Sequence, residues 1–478
     1  MIDLNADFIA WPELVALHGR ERPGARALVC GDAVLSWGDL HARADRVAAA
    51  LQRDGLAPQD VIAICAATSI DYVVLFVGAL RAGVTVTPIP PGATPAQRAA
   101  MVADSGAKRV FDDTPVDAWL ADGPPRPVAI DPAWAFNIIY SSGTTGTPKG
   151  IVQPHAMRWA HIRRAASGGY GPDTVTLLST PLYSNTTLVS LIPTLAYGGC
   201  AVLMPKFDAR GYLELAERHR VTHTMLVPVQ YQRLMAHPDF DRFDLSAFRF
   251  KACTSAPFTA ALKAEVLRRW PGGLADYYGL TEGGGTCILQ AHLFPHKLHT
   301  VGRPAEGHDI RLIDEQGREL PPGSTGEIVV RSPGMMTGYH GRPELTREIE
   351  WFDAEGRRFL RTGDIGRFDD DGFLVLMDRR KDMVISGGFN VYPSDLEAVL
   401  RQHPAVADCA VVGVPSEQWG ETPVGFVVLR DAADPEAVRA WANERLGKTQ
   451  RLAALRVLDE LPRSAIGKVL KRELRDRF

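Results

Sequence analysis

Phe136-Asn-Ile-Ile-Tyr140-Ser-Ser-Gly-Thr-Thr-Gly-Thr-Pro-Lys-Gly150 is an apolar run that gives way to glycines, hydroxyls and a single lysine. Such a loop can present backbone N–H groups, hydroxyls and one ammonium to a polyphosphate. The spacing from Gly143 to Lys149 does not fit Gly-x4-Gly-Lys-Ser/Thr, which disfavours a Walker-type ATPase or GTPase. Read alone, the stretch is a nucleotide cradle or a tight surface turn, and the composition favours the cradle.

Short apolar runs alternate with helical patterns on both sides of this loop. Val61–Cys65 reads as a buried strand, Asp71–Arg81 as a helix closed by Gly83, and Val84–Ile89 as the next strand. Leu40, Ala44, Val47 and Leu51 recur at helical spacing after Ser36, a cap residue. Beyond the loop come strand Ala201–Met204, helix Gly211–Arg218, strand Thr222–Val227, helix Val229–Met235 and strand Phe248–Cys253. Repeated strand-helix-strand units predict an α/β fold, with parallel sheets covered by helices on both faces.

From about Val301 the texture changes to short strands punctuated by glycine and proline, such as Ile310–Ile313 and Glu327–Val330, which predicts a β-rich subdomain. The charged knot Asp378-Arg-Arg-Lys-Asp382 precedes a last segment of about a hundred residues, the size of one small domain. That segment predicts an α+β lobe: helix Ser394–Arg401, strands Cys409–Val412 and Val424–Leu429, helix Pro435–Leu446 and strand Leu455–Leu458. The expected division is therefore a large lobe over 1–380 and a small lobe over 381–478.

At 478 residues the chain exceeds one ordinary core. With 53 basic and 56 acidic side chains the net charge is -3, which gives no electrostatic case for nucleic acid or an anionic membrane. The cysteines Cys30, Cys65, Cys200, Cys253, Cys287 and Cys409 are scattered singly, without the pairs that zinc or a disulfide framework needs, and read as buried free thiols. The first residues lack the basic start and apolar core of a signal peptide. The most apolar long window, Leu188 to Pro205, contains Pro193 and Gly198-Gly199, so it reads as a buried helix followed by a strand rather than a membrane span. A cytoplasmic location is expected.

Further segments follow the glycine loop in order: Tyr277-Tyr-Gly-Leu-Thr-Glu282, Arg361-Thr-Gly-Asp364, Asp378-Arg-Arg-Lys-Asp-Met-Val-Ile-Ser-Gly-Gly-Phe-Asn-Val-Tyr-Pro393 and Leu461-Pro-Arg-Ser-Ala-Ile-Gly-Lys468. Together they resemble the adenylate-forming superfamily of acyl- and aryl-CoA synthetases, luciferases and peptide-synthetase adenylation domains. The resemblance spans essentially the whole chain. It implies activation of a carboxylic acid by ATP and Mg2+, with release of pyrophosphate, and transfer of the acyl group from AMP to coenzyme A.

The resemblance also implies roles. Ser141, Ser142, Gly143, Thr144, Thr145 and Lys149 would clamp the β- and γ-phosphates. Tyr278 would stack on adenine, while core packing is the reading preferred for Tyr277. Thr281 would hydrogen-bond the α-phosphate, and Glu282 would hold the metal. Asp364 would accept the ribose hydroxyls and Arg379 would reach the nucleotide. Lys381 would be the hinge of the small lobe, and Lys468 the lysine that bridges carboxylate and α-phosphate during adenylation. Gly387 and Gly388, lacking side chains, would line the pantetheine tunnel.

Two departures from the family pattern bear on the acid. After Pro181-Leu-Tyr183, where many relatives carry a gating histidine or other aromatic, this chain has Ser184-Asn-Thr-Thr187. Ser184 and Thr186 could hydrogen-bond a polar group of the acid or equally cap the following helix. Thr254-Ser255 stands where relatives often have two glycines, which would narrow the site at Ser255. Gly283 and Gly284 would leave volume at the pocket wall, consistent with a ring or a branched chain.

The leading reading is an AMP-forming acyl- or aryl-CoA ligase for an aromatic or medium-chain acid. The alternative acceptor is the phosphopantetheine of a carrier protein, although no fused carrier domain follows Phe478. A catalytically silent nucleotide-binding scaffold is disfavoured by Glu282, Asp364 and Lys468 together, and nothing local indicates a luciferase-like oxygen chemistry. The acid and the oligomeric state are not legible.

Overall fold

The computed structural model describes residues 2–141, 149–379, 381–386, 389–447, 450–464 and 467–478. Ser142, Gly143, Thr144, Thr145, Gly387 and Gly388 lie outside these. The chain forms two compact units, one of Met1–Asp309 with Arg331–Glu350 and one of Ile310–Val330 with Trp351–Phe478.

Among the described residues the first unit holds a nine-stranded and a six-stranded sheet. In the larger, the parallel run Gly273–Gly279, Phe250–Cys253, His223–Leu226, Val175–Leu178, Cys200–Leu203 and Arg26–Cys30 forms the centre, with antiparallel strands at both edges. In the smaller, Val61–Ile64 lies parallel to both Thr85–Pro88 and Arg109–Phe111, while Ala135–Ser141 and Lys149–Pro154 pair antiparallel across the glycine loop. Thr85–Pro88, Cys200–Leu203 and His223–Leu226 are buried at every residue. Strands covered on both faces tend to read as apolar runs, as Cys200–Leu203 does, while Thr85, Thr87, His223 and Thr224 are buried polar residues within the others.

The expected helices form, with the expected cap at Ser36 and a further one at Ser69. Ser36 accepts from Asp39 N at the start of Trp37–Arg53, and Ser69 from Tyr72 N at the start of Ile70–Arg81. The latter ends at Gly83, which takes a φ of 74°. The two helices pack closely at Gly78, where a Cβ would lie 2.4 Å from Val47 Cβ. The apolar window resolves into helix Asn185–Ala196, with Pro193 inside it, and strand Cys200–Leu203. Among the described residues no helix is long and apolar enough to cross a membrane. All six cysteines are unpaired, and all but the half-buried Cys30 are buried.

Strand order places the site. Ser184, Ser255 and the loop 280–285 all follow the carboxyl ends of strands in the same sheet, the edge where open α/β sheets bind ligands. Loop 280–285 connects Gly273–Gly279 to Thr286–Gln290, with Gly279 opposite Thr286.

The second unit holds two five-stranded sheets. One is built on Thr325–Arg331 and Arg358–Phe368; the other on the long hairpin Val406–Ser416 with Gly420–Leu429, covered by helices Pro393–Leu400 and Pro435–Arg445. The compact unit thus joins the β-rich strands to the C-terminal segment. Within it Asp378 accepts from Ser394 N at 2.7 Å, and Arg475 pairs with Asp382 at 2.8 Å. The Asp378–Ser394 contact straddles position 380, and the compact units and the expected 1–380 and 381–478 lobes divide the chain differently.

Candidate functional site

Ser141 and Lys149 pair as the last and first residues of the strands flanking the glycine loop. Their frame is held from outside. Strand Gly338–Tyr339 adds to Lys149–Pro154 with Tyr339 opposite Ile151, and His340 N donates to Gly150 O at 2.7 Å. A Cβ at Gly150 would lie 2.8 Å from Ile138 Cγ2 and 3.3 Å from His340 Cβ, so the close approach requires glycine. Tyr140 Oη donates to Asp104 at 2.7 Å, and Arg342 pairs with the other oxygen of the same carboxylate at 2.7 Å.

Tyr339 joins two motifs. Its hydroxyl donates to Glu282 Oε1 at 2.9 Å, and Lys149 Nζ stands 5.5 Å from its ring centroid. Burial and the Glu282 carboxylate both raise the phenol, which stays protonated. The cradle lysine and the candidate metal carboxylate therefore converge on one side chain. Sequence reading missed Tyr339, because a two-residue strand set by a distant partner carries no local motif.

Thr281 is held through its carbonyl, which accepts from Gln153 Nε2 at 2.6 Å. Gln153 belongs to a buried network in which Arg158, only 1% exposed, donates to Asn137 Oδ1 at 2.9 Å, Asn185 Oδ1 at 3.0 Å and Gln153 Oε1. The Glu282 carbonyl accepts from Met336 N at 2.8 Å. Tyr278 is 8% exposed and Tyr277 half-buried.

Structure resolves the polar departures at the pocket. Ser184 is the N-cap of helix Asn185–Ala196 and accepts from Thr186 N. The Thr186 and Ser255 hydroxyls bond each other at 2.7 Å. Ser255 has a φ of 80°, so this chain keeps a side chain in a left-handed conformation. The volume expected at Gly283 is not there. A Cβ on Gly283 would lie 2.0 Å from Gly334 O and 2.9 Å from Met157 Cε, and Gly284 N donates to Gly334 O. These glycines close a seam between two backbone segments instead of opening a wall.

The second unit assembles the other candidates. Asp364 is 9% exposed, stands opposite Arg379 across paired strands, and binds its guanidinium at 3.1 Å. Thr362 fixes the turn, its hydroxyl donating to Ile328 O and accepting from Asp364 N. Lys468 keeps solvent contact, yet its surroundings withdraw enough water, and Arg379 and Lys381 add enough repulsion, to lower its amine to about 8. Asp364 and Asp382 pull the other way. Lys381 is likewise lowered, first by burial and then by Arg379. The structure thus brings Asp364, Arg379, Lys381 and Lys468 into one electrostatic cluster.

The sequence matches the AMP-binding enzyme family over residues 15–340 and the AMP-binding enzyme C-terminal domain over 395–468. It is 33% identical to a feruloyl-CoA synthase of Amycolatopsis sp., covering 99% of each chain. It is 31% identical to the fatty acid–[acyl-carrier-protein] ligase ScoC of Streptomyces coeruleorubidus, covering 98% of this chain and 96% of that one. Among solved structures, ATP-bound MatB from Rhodopseudomonas palustris superposes with a TM-score of 0.88 at 28% identity, covering 98% and 99%. The chain belongs to the AMP-binding enzyme family, the adenylate-forming enzymes, and its place within that family is among the acyl- and aryl-CoA ligases.

Proposed function

We propose that the protein is an ATP-dependent carboxylate–CoA ligase working in two steps on an aromatic or medium-chain acid. First, a carboxylate oxygen attacks the α-phosphorus of ATP, the bond to the bridging oxygen breaks, and pyrophosphate leaves. Then the sulfur of CoA attacks the acyl carbon, the acyl–oxygen bond breaks, AMP departs, and the thiol proton passes to solvent. The first step sets two anions together, so the protein contributes positive charge and fixed donors.

In this reading the loop from Ser141 to Thr145 with Lys149 holds the departing phosphates, Tyr278 meets adenine, and Thr281 donates to the α-phosphate. Asp364 accepts the ribose hydroxyls beside Arg379, and Lys468 lies between the two reacting anions. Gly387 and Gly388 admit the pantetheine chain, with Lys381 as the pivot between the half-reactions. Bound by Glu282 and phosphate oxygens, Mg2+ would neutralise charge on the nucleotide. Among the described residues there is no cluster of three or more metal-ligating side chains, which fits an ion held by one carboxylate and a polyphosphate rather than by a protein cage. ATP use and unpaired cysteines both suit the cytoplasm.

The observation that carries the proposal is the convergence of Lys149 and Glu282 on Tyr339. It puts a phosphate-binding cation beside a carboxylate suited to a hard metal. A panel of acids incubated with ATP, Mg2+ and CoA tests it: acid-dependent AMP, pyrophosphate and acyl-CoA are expected, and ADP or acid-independent hydrolysis would sink it. A second reading, with a carrier-protein phosphopantetheine as acceptor, draws on the similarity to the carrier-protein ligase. Thioester formed on a phosphopantetheinylated carrier but not on free CoA would select it.

A further inference from the structure

Helix His155–Ala165 carries His155, Arg158, His161 and Arg164 at every third position, each within one turn of the next. The first three are buried and Arg164 is half-buried. No carboxylate pairs with any of them among the described residues. Burial, with Arg158 beside it, lowers His155 to about 4; burial, Arg164 and Arg158 lower His161, so both imidazoles are neutral. The two guanidiniums remain as charges taken from water without a counter-ion, an expensive arrangement unless an anion completes it.

They are not equivalent. Arg158 is surrounded by three amide oxygens and works as the knot of the Gln153–Thr281 network. Arg164 has five N–H donors and, among the described residues, one side-chain acceptor, Thr286 Oγ1 at 3.2 Å. His308 offers it no lone pair: its Nδ1 accepts from Thr286 N at 2.9 Å, and burial followed by Arg164 lowers the ring to about 4. Thr286 begins the strand after the loop that carries Thr281 and Glu282. The five residue steps from Thr281 to Thr286 span at most about 18 Å, so Arg164 lies within reach of the far end of an extended acid whose reacting carboxylate sits at Thr281.

We infer that the acid carries a second anionic group, distal to the reacting carboxylate, and that Arg164 with Thr286 binds it. The substrate class is then a dicarboxylic acid, aromatic or medium-chain, activated at one end and anchored at the other. This rests on the ligase reading above. Arg164 acts on specificity and touches no reacting atom.

The test uses the full-length enzyme with matched pairs: straight-chain and aromatic dicarboxylic acids against their monomethyl esters. AMP release is measured with ATP, Mg2+ and CoA, and binding of each acid is read in parallel by calorimetry. The diacid should be favoured about ten- to a hundredfold in kcat/KM, the range of one charge-assisted pair. Arg164→Gln should erase that preference through KM, Arg164→Lys should keep part of it, and Thr286→Val should weaken it without removing a charge. Esters turned over as well as diacids, or a loss in Arg164→Gln equal for both, would overturn the inference. Preferential diacid binding without AMP release would support it while overturning the ligase reading, and no preference in either readout defeats it outright.

Discussion

At the scale of single residues, charge is concentrated where two anions must meet. Because Lys468 is lowered to about 8, its ammonium is lost as pH rises through that value rather than near 10.5. The proposed bridging role needs the cation, so under it kcat/KM for acid-dependent pyrophosphate exchange should fall above about pH 8, reporting the free enzyme. In Lys468→Arg any residual activity should show no such fall, since a guanidinium stays charged there. Lys468→Ala should abolish acyl-adenylate formation and leave thioester formation from supplied acyl-adenylate largely intact; equal loss of both would refute the bridging role. Ser255 makes a different prediction. Replacing it by glycine relieves a left-handed conformation worth roughly 1 kcal/mol, so thermal stability should hold or rise. The lost bond to Thr186 should nevertheless change the KM for the acid, measured across the same panel.

At the scale of elements, the seam at Gly283 separates two kinds of glycine. Gly283→Ala would drive a methyl into the Gly334 carbonyl and strain a φ of 74°, displacing the segment whose Met336 N–H holds the Glu282 carbonyl. A loss of about 2 kcal/mol or more and weaker ATP binding are expected, by denaturant unfolding and calorimetry. Gly341→Ala, at a φ of 60° with open space around it, should cost only about 1 kcal/mol. Doubly covered strands and capped helices were legible because their signal is local. Thr85–Pro88 and Ile70–Arg81 fell within a residue or so of their expected bounds. Helix Pro95–Ser105 was not legible, since it buries only Met101 and Ser105 and so lacks an apolar stripe. Strand Val406–Ser416 runs past its expected Cys409–Val412 because pairing with Gly420–Leu429 extends it, a fact held by the partner. In the candidate site, the proposals for Thr281, Glu282, Asp364 and Lys468 come from their local motifs. Tyr339, Arg158 and Arg164 matter through neighbours that are remote in sequence.

At the scale of the whole molecule, the Lys149–Tyr339–Glu282 group lies in one compact unit and the Asp364–Lys468 cluster in the other. If Lys381 is the pivot, Lys381→Pro, which fixes φ there, should impair the two half-reactions unequally, as separate assays of pyrophosphate exchange and thioester formation would show. Equal effects, or none, would place the pivot elsewhere. The unpaired cysteines, spread through both units, have a bearing on this chemistry too. An acyl-adenylate is a mixed anhydride that any thiolate could intercept. Burial raises all six thiols, Cys200 to about 11 and Cys409 to about 12, and Cys287, directly across the hairpin from Tyr278, higher still. Held as neutral thiols at physiological pH, they are poor nucleophiles. An enzyme that makes a reactive acyl donor and hands it to a thiol thereby avoids acylating itself.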